Sequence, residues 1–526
     1  MRRSLKTLAI ALAGIGLAAV MTAQAQVVHV SYTEDMATLD PAIGYDIENW
    51  PVEHALFITL LSYQNGTTLV PWAATSMPQV SSDLKTYTFH IHPGITFSDG
   101  EPVDSGAFRY AIERILDPKT QSPQGGLGGW YGNLVGAKAY IDGTAAHVSG
   151  IETPDPLTIS FTLVHPDRTF LNILATPFSS AEPQQAVEKW GRDYSHHVVG
   201  SAQFLLKSWV PGQSMVLVKN PNYFDPATAA KVDEIDFTFN LDPQVALLRA
   251  ERGQVDVIGD DIPSAQFLSV ANNPKYKEYL HHITQVGVYY VFTNTQVAPF
   301  NNKLVREAVN YAVDKSRIVQ LINGRGQVAN QILPPAMPGY DSSIKGVEYD
   351  PQKAKQLLAQ AGYPNGIQAD FITLANPPGP QIAQALQQQM AAAGITLNIK
   401  ALPHAEYINT ITSLKKAAIG FSAWFQDYPD PSDFLDVLFN SANVKQGSFN
   451  LSEYQNPAVD KLMNDAQGLP IDQALPMYQQ AQKLILADYP WVPLYFPVEY
   501  KWANPAITNF TIDPVWTFVY ANWGKK

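Results

Sequence analysis

The chain has 526 residues, 47 acidic and 35 basic side chains and a formal net charge of −12. An acidic balance of this size disfavours nucleic acid and anionic lipid as partners. There is no cysteine, which excludes disulfides and a lipid-modified cysteine and leaves stability to a large apolar core.

The first segment carries Arg2, Arg3 and Lys6, then an apolar run from about Leu8 to Met21, then Ala23-Gln24-Ala25. A basic start, a short apolar stretch and small residues at the A-x-A positions read as a secretory signal cleaved after Ala25. The run is too short and too rich in Ala and Gly to be read as a spanning helix. An exported, unanchored protein of the periplasm is the expectation. Without Arg2, Arg3 and Lys6 the mature chain is near −15 (−12 less the three signal cations). Its roughly 500 residues are enough for two or more domains.

Along the mature chain, residues 27–32 read as an opening strand, and 86–91 alternate as a strand does. Residues 104–115 place Phe108, Ala111, Ile112 and Ile115 at helical spacing, with Asp104 or Ser105 as cap. A Gly-rich stretch over 124–132 reads as a mobile surface loop. Strand-like residues 287–292 precede a helix expected over 304–318. A second helix, 351–361, opens on Pro351 in its first turn. A third, 381–393, is stopped by Gly394 and followed by a strand at 395–399, the local pattern of an α/β lobe. A last strand is expected at 492–496. If the 287–292 and 492–496 strands both cross between lobes, the sequence they enclose is a second lobe set into the first.

Most candidate chemistry has a plain explanation. His90 and His92 would share one face of a strand, but no third metal ligand lies nearby. The adjacent pairs His196-His197 and His281-His282 would diverge and suit surface or turn positions. Gly125-Gly126-Leu127-Gly128-Gly129 lacks the preceding strand and the Lys or acid of a phosphate site. The G-x-S-x-G, H-E-x-x-H, P-loop and C-x-x-C signatures are missing. A secreted hydrolase using a carboxylate pair remains open, since its partners need not be close in sequence.

Asp427, Asp430, Asp433 and Asp436 recur every three residues without the D-x-D-x-D-G pattern of a calcium loop. Asp430 or Ser432 suits the cap of a helix over 433–439, with Asp433 in its first turn. That leaves Asp427, set among Trp424, Phe425 and Tyr428. A carboxylate among rings is costly unless donors or a cation meet it. Asp427 therefore serves either the fold or a positively charged guest.

Several longer segments resemble one family. Tyr87-Thr88-Phe89-His90-Ile91-His92-Pro93-Gly94-Ile95-Thr96-Phe97-Ser98-Asp99-Gly100 is similar to a signature of the solute-binding proteins of peptide-type ABC importers. Pro299-Phe300-Asn301-Asn302-Lys303-Leu304-Val305-Arg306-Glu307-Ala308 resembles another. So do Trp209-Val210-Pro211-Gly212, Lys353-Ala354-Lys355-Gln356-Leu357-Leu358 and Tyr454-Gln455-Asn456-Pro457. These matches keep the family's order over nearly all of the mature chain.

The resemblance implies an α/β, two-lobed periplasmic binding protein fold with hinge strands and an extra α/β subdomain inserted in lobe I. It places lobe I at 26–65, 196–285 and 495–526, the insertion at 66–195 and lobe II at 286–494. Ligand would sit between the lobes, and hinge closure would present it to a membrane permease of the ABC importer. A monomer is implied, with no catalytic residue, cofactor or metal.

Trp424-Phe425-Gln426-Asp427-Tyr428-Pro429-Asp430-Pro431 resembles the W-x-x-D-Y-x-[DE]-P segment of oligopeptide-binding members. Carried over, Asp427 accepts the peptide's α-ammonium, while Ser422, Ala423, Trp424 and Phe425 supply main-chain bonds and cleft walls. Tyr428 and Tyr45 join them as ligand contacts. Two departures stand out. The stretch 374–380 lacks the arginine with which dipeptide-selective members clamp a carboxylate, and no arginine follows Arg325. A longer peptide, or a cation without an anion, is therefore expected over a compact dipeptide. The family's G-T-G-P-Y turn reads here Gly200-Ser201-Ala202-Gln203-Phe204. Relatives carry oligosaccharides, opine-like compounds or metal chelates, and these are the alternatives within the class.

Overall fold

A computed structural model describes residues 25–526 apart from Ile47 and Asn65. The expected signal lies outside the described residues except for its last position. Among the described residues no helix is long and apolar enough to cross a membrane.

The opening strand forms as Val27–Ser31 and is the centre of a first sheet. It runs parallel to Glu234–Thr238 and to Val257–Ile258. Beyond Glu234–Thr238 lies the antiparallel hairpin Phe204–Val210 and Ser214–Lys219. Its turn, Val210-Pro211-Gly212-Gln213, uses the fixed φ of proline followed by Gly212 at φ 73°, as a tight turn of that kind requires. Val28, Val30, Leu217, Ile235 and Phe237 bury one face of this sheet.

A second sheet is ordered Ile395–Leu402, Ile367–Leu374, Ile419–Phe425, Gly287–Thr293 and Trp491–Ala503. Ile367–Leu374 and Ile395–Leu402 are parallel and joined by the helix Gly379–Ala392, a crossover that matches the expected helix, Gly394 stop and strand. Gly394 adopts φ 85°.

The two sheets are one continuous surface because Trp491–Ala503 belongs to both. Its first residues pair with Gly287–Thr293, its last with Leu280–Thr284 and Val257–Ile258. Leu280–Thr284 and Gly287–Thr293 are interrupted only at Gln285 and Val286. Two chain segments therefore cross side by side, as expected from the 287–292 and 492–496 stretches, but the second is 13 residues long. Pro493 and Pro497 fall inside it and lack the N–H that a central strand donates. The ladder shifts register between Tyr289 and Tyr290, opposite Pro493, and Pro497 accepts from the Gln285 N–H at 2.9 Å. The crossing is thus a weakened point in an otherwise continuous ladder.

A separate antiparallel sheet, ordered Gln79–Val80, Thr86–His90, Thr158–Thr162 and Ile151–Asp155, packs under the helix Ser105–Leu116. Asp104 caps that helix through Ala107 N at 3.1 Å.

Three expectations need correction. The helix over 304–318 is two, Lys303–Tyr311 and Lys315–Leu321. The Asp314 carboxylate accepts from Arg317 N and caps the second helix, competing with continuation of the first. The helix expected from 433 begins at Pro431, capped by Asp430. The Gly-rich stretch is folded tightly on itself: a Cβ on Gly129 would lie 2.0 Å from the Gln124 carbonyl. Its Trp130 packs on Phe178 and Tyr428.

Candidate functional site

Asp427 follows directly from the strand Ile419–Phe425 (sequence IGFSAWF). Side chains alternate there, so Phe421, Ala423 and Phe425 share one face and Ser422 and Trp424 the other. Phe425 stands opposite Gly287, where a Cβ would lie 2.6 Å from its ring. Glycine at that position lets the ring lie across the neighbouring strand.

Past Phe425 the chain turns into the helix Pro431–Phe439. Asp433 in its first turn reaches back, and its Oδ2 accepts from Asp427 N at 3.0 Å and Trp424 Nε1 at 3.4 Å. Asp433 is fully buried, and its other carboxylate oxygen has no partner among the described residues. Burial, with the nearby Asp427 charge, pushes its carboxyl well above the usual range.

Across the cleft, Tyr45 donates its hydroxyl to both Asp427 carboxylate oxygens, each at 2.9 Å. The turn that presents Tyr45 is held by Gly44 N bonded to Asp40 O, and a Cβ on Gly44 would lie 2.0 Å from Glu53 Oε1. Trp50, Trp130 and Phe178 surround the Tyr45 ring. Asp427 is half-buried. Burial pushes its carboxyl up to about 7, against the Tyr45 bond, which lowers it. A raised pKa means that the ionised form is short of partners.

Tyr45, Phe425 and Asp427 line a cavity of about 190 Å³. Asp46, Glu499 and Asp513 also line it, and among the described residues no lysine or arginine does. Two further cavities, of about 300 and 570 Å³, share Gln285 with the first. Together they follow the cleft between the lobes, floored by the crossing strands. Gln285 Nε2 donates to Glu499 at 2.9 Å, and Glu499 pairs with Lys501 at 2.5 Å. Burial also raises the carboxyls of Asp46, Glu48, Asp260, Asp261 and Asp513.

The other expected residues stand elsewhere. Ser422 is 8% exposed and opposite Tyr290, and Ala423 is opposite Tyr289. The Trp424 ring leans on Phe449, and Tyr428 is buried against Trp130. None of the four lines the first cavity. On one side, however, this strand pairs with Ile367–Leu374 only through Ile419 and Gly420. Beyond Gly420 that backbone edge has no strand partner among the described residues.

Arg325 is the residue that sequence reasoning passed over. It lines the largest of the three cleft cavities together with Pro377 and Pro378, so the stretch lacking an arginine shares a cavity with one. Arg325 lies near Asp261 at 3.6 Å, donates to Ser264 Oγ at 2.5 Å and stacks on Phe267. No local pattern signals this, because the contact depends on the fold.

The histidines take ordinary places. His90 meets Thr158, His196 and His197 both face Asp193, and His281 and His282 pack on Phe510 and Tyr500.

Comparison with known proteins places these features in a wider set. The sequence model of the bacterial extracellular solute-binding proteins, family 5 Middle, matches residues 68–446. The chain is 29% identical to heme-binding protein A of Haemophilus influenzae over 86% of this chain and 84% of that one. It is 27% identical to the glutathione-binding protein GsiB of Escherichia coli over 96% of each. Among solved structures it is similar to clavulanic acid biosynthesis oligopeptide binding protein 2, with TM-score 0.87 and 23% identity over 95% and 96% of the two chains. It is also similar to the DppA periplasmic binding protein of Helicobacter pylori in complex with the peptide STSA, with TM-score 0.78 and 25% identity over 95% and 98%.

Proposed function

Since the chain belongs to the family 5 bacterial extracellular solute-binding proteins, we propose that it captures a peptide between its lobes in the periplasm and hands it to an ABC permease. The observation that carries this reading is the Asp427 carboxylate. It is half-buried among rings; among the described residues its only side-chain partner is the Tyr45 hydroxyl, and its cavity has four lining carboxylates and no lining cation. Such a site favours a guest that brings its own positive charge. A peptide α-ammonium does so with several N–H donors, and a charge-assisted bond of this kind is worth roughly 1.5–3 kcal/mol.

The Phe421 carbonyl on the open backbone edge after Gly420 is taken by the Tyr407 hydroxyl at 2.9 Å, and the backbone at Ala423 and Phe425 beyond it supports main-chain pairing of an extended guest, in the manner of strand addition. Arg325, farther along the cleft, is suited to a carboxylate. This tempers the expectation of a ligand without an anion. The division of lobe I into 26–65, 196–285 and 495–526, with 66–195 inserted and 286–494 as lobe II, is part of the same proposal. The crossing at Gln285 supports the division between lobes, and the core around the four-stranded sheet, shared with Ile58, Leu60 and Trp516 of lobe I, supports an insertion packed on that lobe.

In this reading the chain does no chemistry of its own. Hinge closure excludes water, strengthens the Asp427 contact and fixes the shape offered to the permease. The test is calorimetry with alanine tetrapeptide and its N-acetylated form. Tight binding of the free-amine peptide, weakened by acetylation, supports the reading. Equal affinity for both removes the ammonium role. Cleavage of either peptide by the pure protein replaces capture with hydrolysis.

A further inference from the structure

The cleft cavity of about 300 Å³ is the middle one of the three. It shares Gln285, Phe425, Glu499 and Thr517 with the cavity that holds Asp427. It shares Asp260, Asp261 and Gln285 with the cavity that holds Arg325. A guest whose ammonium meets Asp427 therefore has its next groups at this opening.

The walls of the middle cavity are unbalanced in charge. Glu48, Asp260, Asp261 and Glu499 line it, against one cation, Lys501, among the described residues. Lys501 is buried, and it is already engaged by the Glu499 carboxylate and the Gly259 carbonyl, each at 2.5 Å. Asp260 accepts from Thr33 N at 2.7 Å and Thr33 Oγ1 at 3.0 Å, two neutral donors that leave its charge uncompensated. Asp261 has Arg325 beside it only at 3.6 Å, beyond a good hydrogen bond. Glu48 precedes the helix Asn49–Leu56, yet its side chain makes no capping bond. Like Asp427, it is an acid without a role in the fold.

These carboxylates are open to a guest. Glu48 and Asp261 are exposed and Asp260 is half-buried, and the Asp261 side chain keeps 50% of its surface. The protein around them nonetheless raises all three carboxyls, as expected of ionised groups short of cations. The rest of the wall is apolar, with Pro51, Tyr32 and the Phe425 ring. Lysine and arginine carry their charge at the tip of an apolar stem, and this wall offers a surface for each part. An acidic side chain would meet three like charges here.

On the reading of the cleft as a peptide site, we propose that the middle cavity selects a lysine or arginine side chain, carried by one of the first three residues of the peptide. The stem lies against Phe425 and Pro51, and the charged tip meets Glu48 and Asp261, with Asp260 behind them. The guest thus brings two positive charges to the cleft, one for Asp427 and one for this cavity.

Calorimetry on alanine tetrapeptides tests the selection, with lysine, norleucine or glutamate placed at each of the four positions in turn. Norleucine keeps an apolar stem and lacks the charge. At one of the first three positions lysine should bind about tenfold or more tighter than norleucine, with glutamate weakest. In at least one of Glu48→Gln and Asp261→Asn that ratio should fall about threefold or more. A ratio taken within each variant cancels any general loss of affinity. The proposal is overturned if lysine and norleucine bind alike at the first three positions, or if the ratio is unchanged in both variants. An equal gain from lysine at all four positions would be attraction to the acidic chain as a whole and also overturns it. Each of these results, with alanine tetrapeptide still bound, leaves the peptide reading in place. If no peptide of the series binds, that reading falls and this one with it.

Discussion

Arg168 and Asp430 form a bidentate ion pair across the cleft, with Nη2 2.6 Å from Oδ1 and Nε 3.2 Å from Oδ2. Both side chains are nearly buried, at 12% and 4% exposure. The guanidinium also donates to the Ala466 carbonyl at 2.7 Å and lies 5.2 Å from the Tyr478 ring centroid. Asp430 at the same time caps the helix Pro431–Phe439. The pair thus ties the four-stranded-sheet region to the start of the segment that carries Asp427. Together with Tyr45 on Asp427 and Gln426 on the Pro514 carbonyl, it belongs to a closed arrangement.

Removing one member of a buried pair strands the other, at a cost of about 3–5 kcal/mol. Arg168→Ala should shift the protein toward an open form and weaken peptide binding about 10- to 100-fold. Small-angle scattering should show a larger radius of gyration without ligand. An unchanged radius and affinity would deny the pair any part in closure.

Asp427→Asn keeps the shape of the side chain and removes its charge. Affinity for free-amine peptides should fall by about 1.5–3 kcal/mol, roughly 10- to 100-fold. Affinity for N-acetylated peptides should change little. Calorimetry on both series measures the difference, and equal losses would mean that the substitution acts through the fold.

The pH dependence follows from the raised Asp427 carboxyl, at about 7 without ligand. An ammonium needs the ionised form, so affinity should rise with pH between about 5.5 and 7.5 and level off above. Stability of the empty protein runs the other way. The folded group binds a proton more tightly than the unfolded one, so its contribution is fully present below pH 4 and is lost as pH rises through 7. Calorimetric affinities and melting curves at pH 5.5 and 7.5, on wild type and Asp427→Asn, should diverge in these opposite senses.

Arg325 supplies the cation at the far end of the cleft. Arg325→Gln should weaken peptides with a free carboxylate several-fold, about 1 kcal/mol, and leave C-terminally amidated peptides nearly unaffected. Identical losses for both would assign Arg325 to holding Asp261 and Ser264 in place.

Gly287→Ala drives a methyl to within 2.6 Å of the Phe425 ring. Overpacking of this kind costs about 1–3 kcal/mol. Denaturant unfolding should show that loss, and peptide affinity should fall with it because Phe425 lines the first cavity.

Much of the fold was legible in local pattern. The Gly394 stop and the strands on either side of the helix Gly379–Ala392 follow directly from propensity and periodicity. Asp427 stood out because its neighbours Asp430 and Asp433 had capping roles to fill and it had none. What stayed hidden depends on chain segments far apart. Tyr45 meets Asp427 over 382 residues of sequence, and Arg325 comes to share a cavity with Pro377 only in the fold. The break at Asp314 was missed because apolar spacing runs through it. The Gly-rich stretch misled because glycines that permit close backbone approach read the same as glycines that confer mobility.

The hinge is also the floor of the cleft. Gln285 stands at the interruption between its two crossing segments and touches all three cleft cavities, while Glu499 lies on the long strand beside it. Any guest that presses on these residues acts at the pivot itself, where the smallest displacement gives the largest swing of the lobe ends. Occupancy is thus converted into an angle without a relay, and a guest too short to reach the floor leaves the lever unmoved.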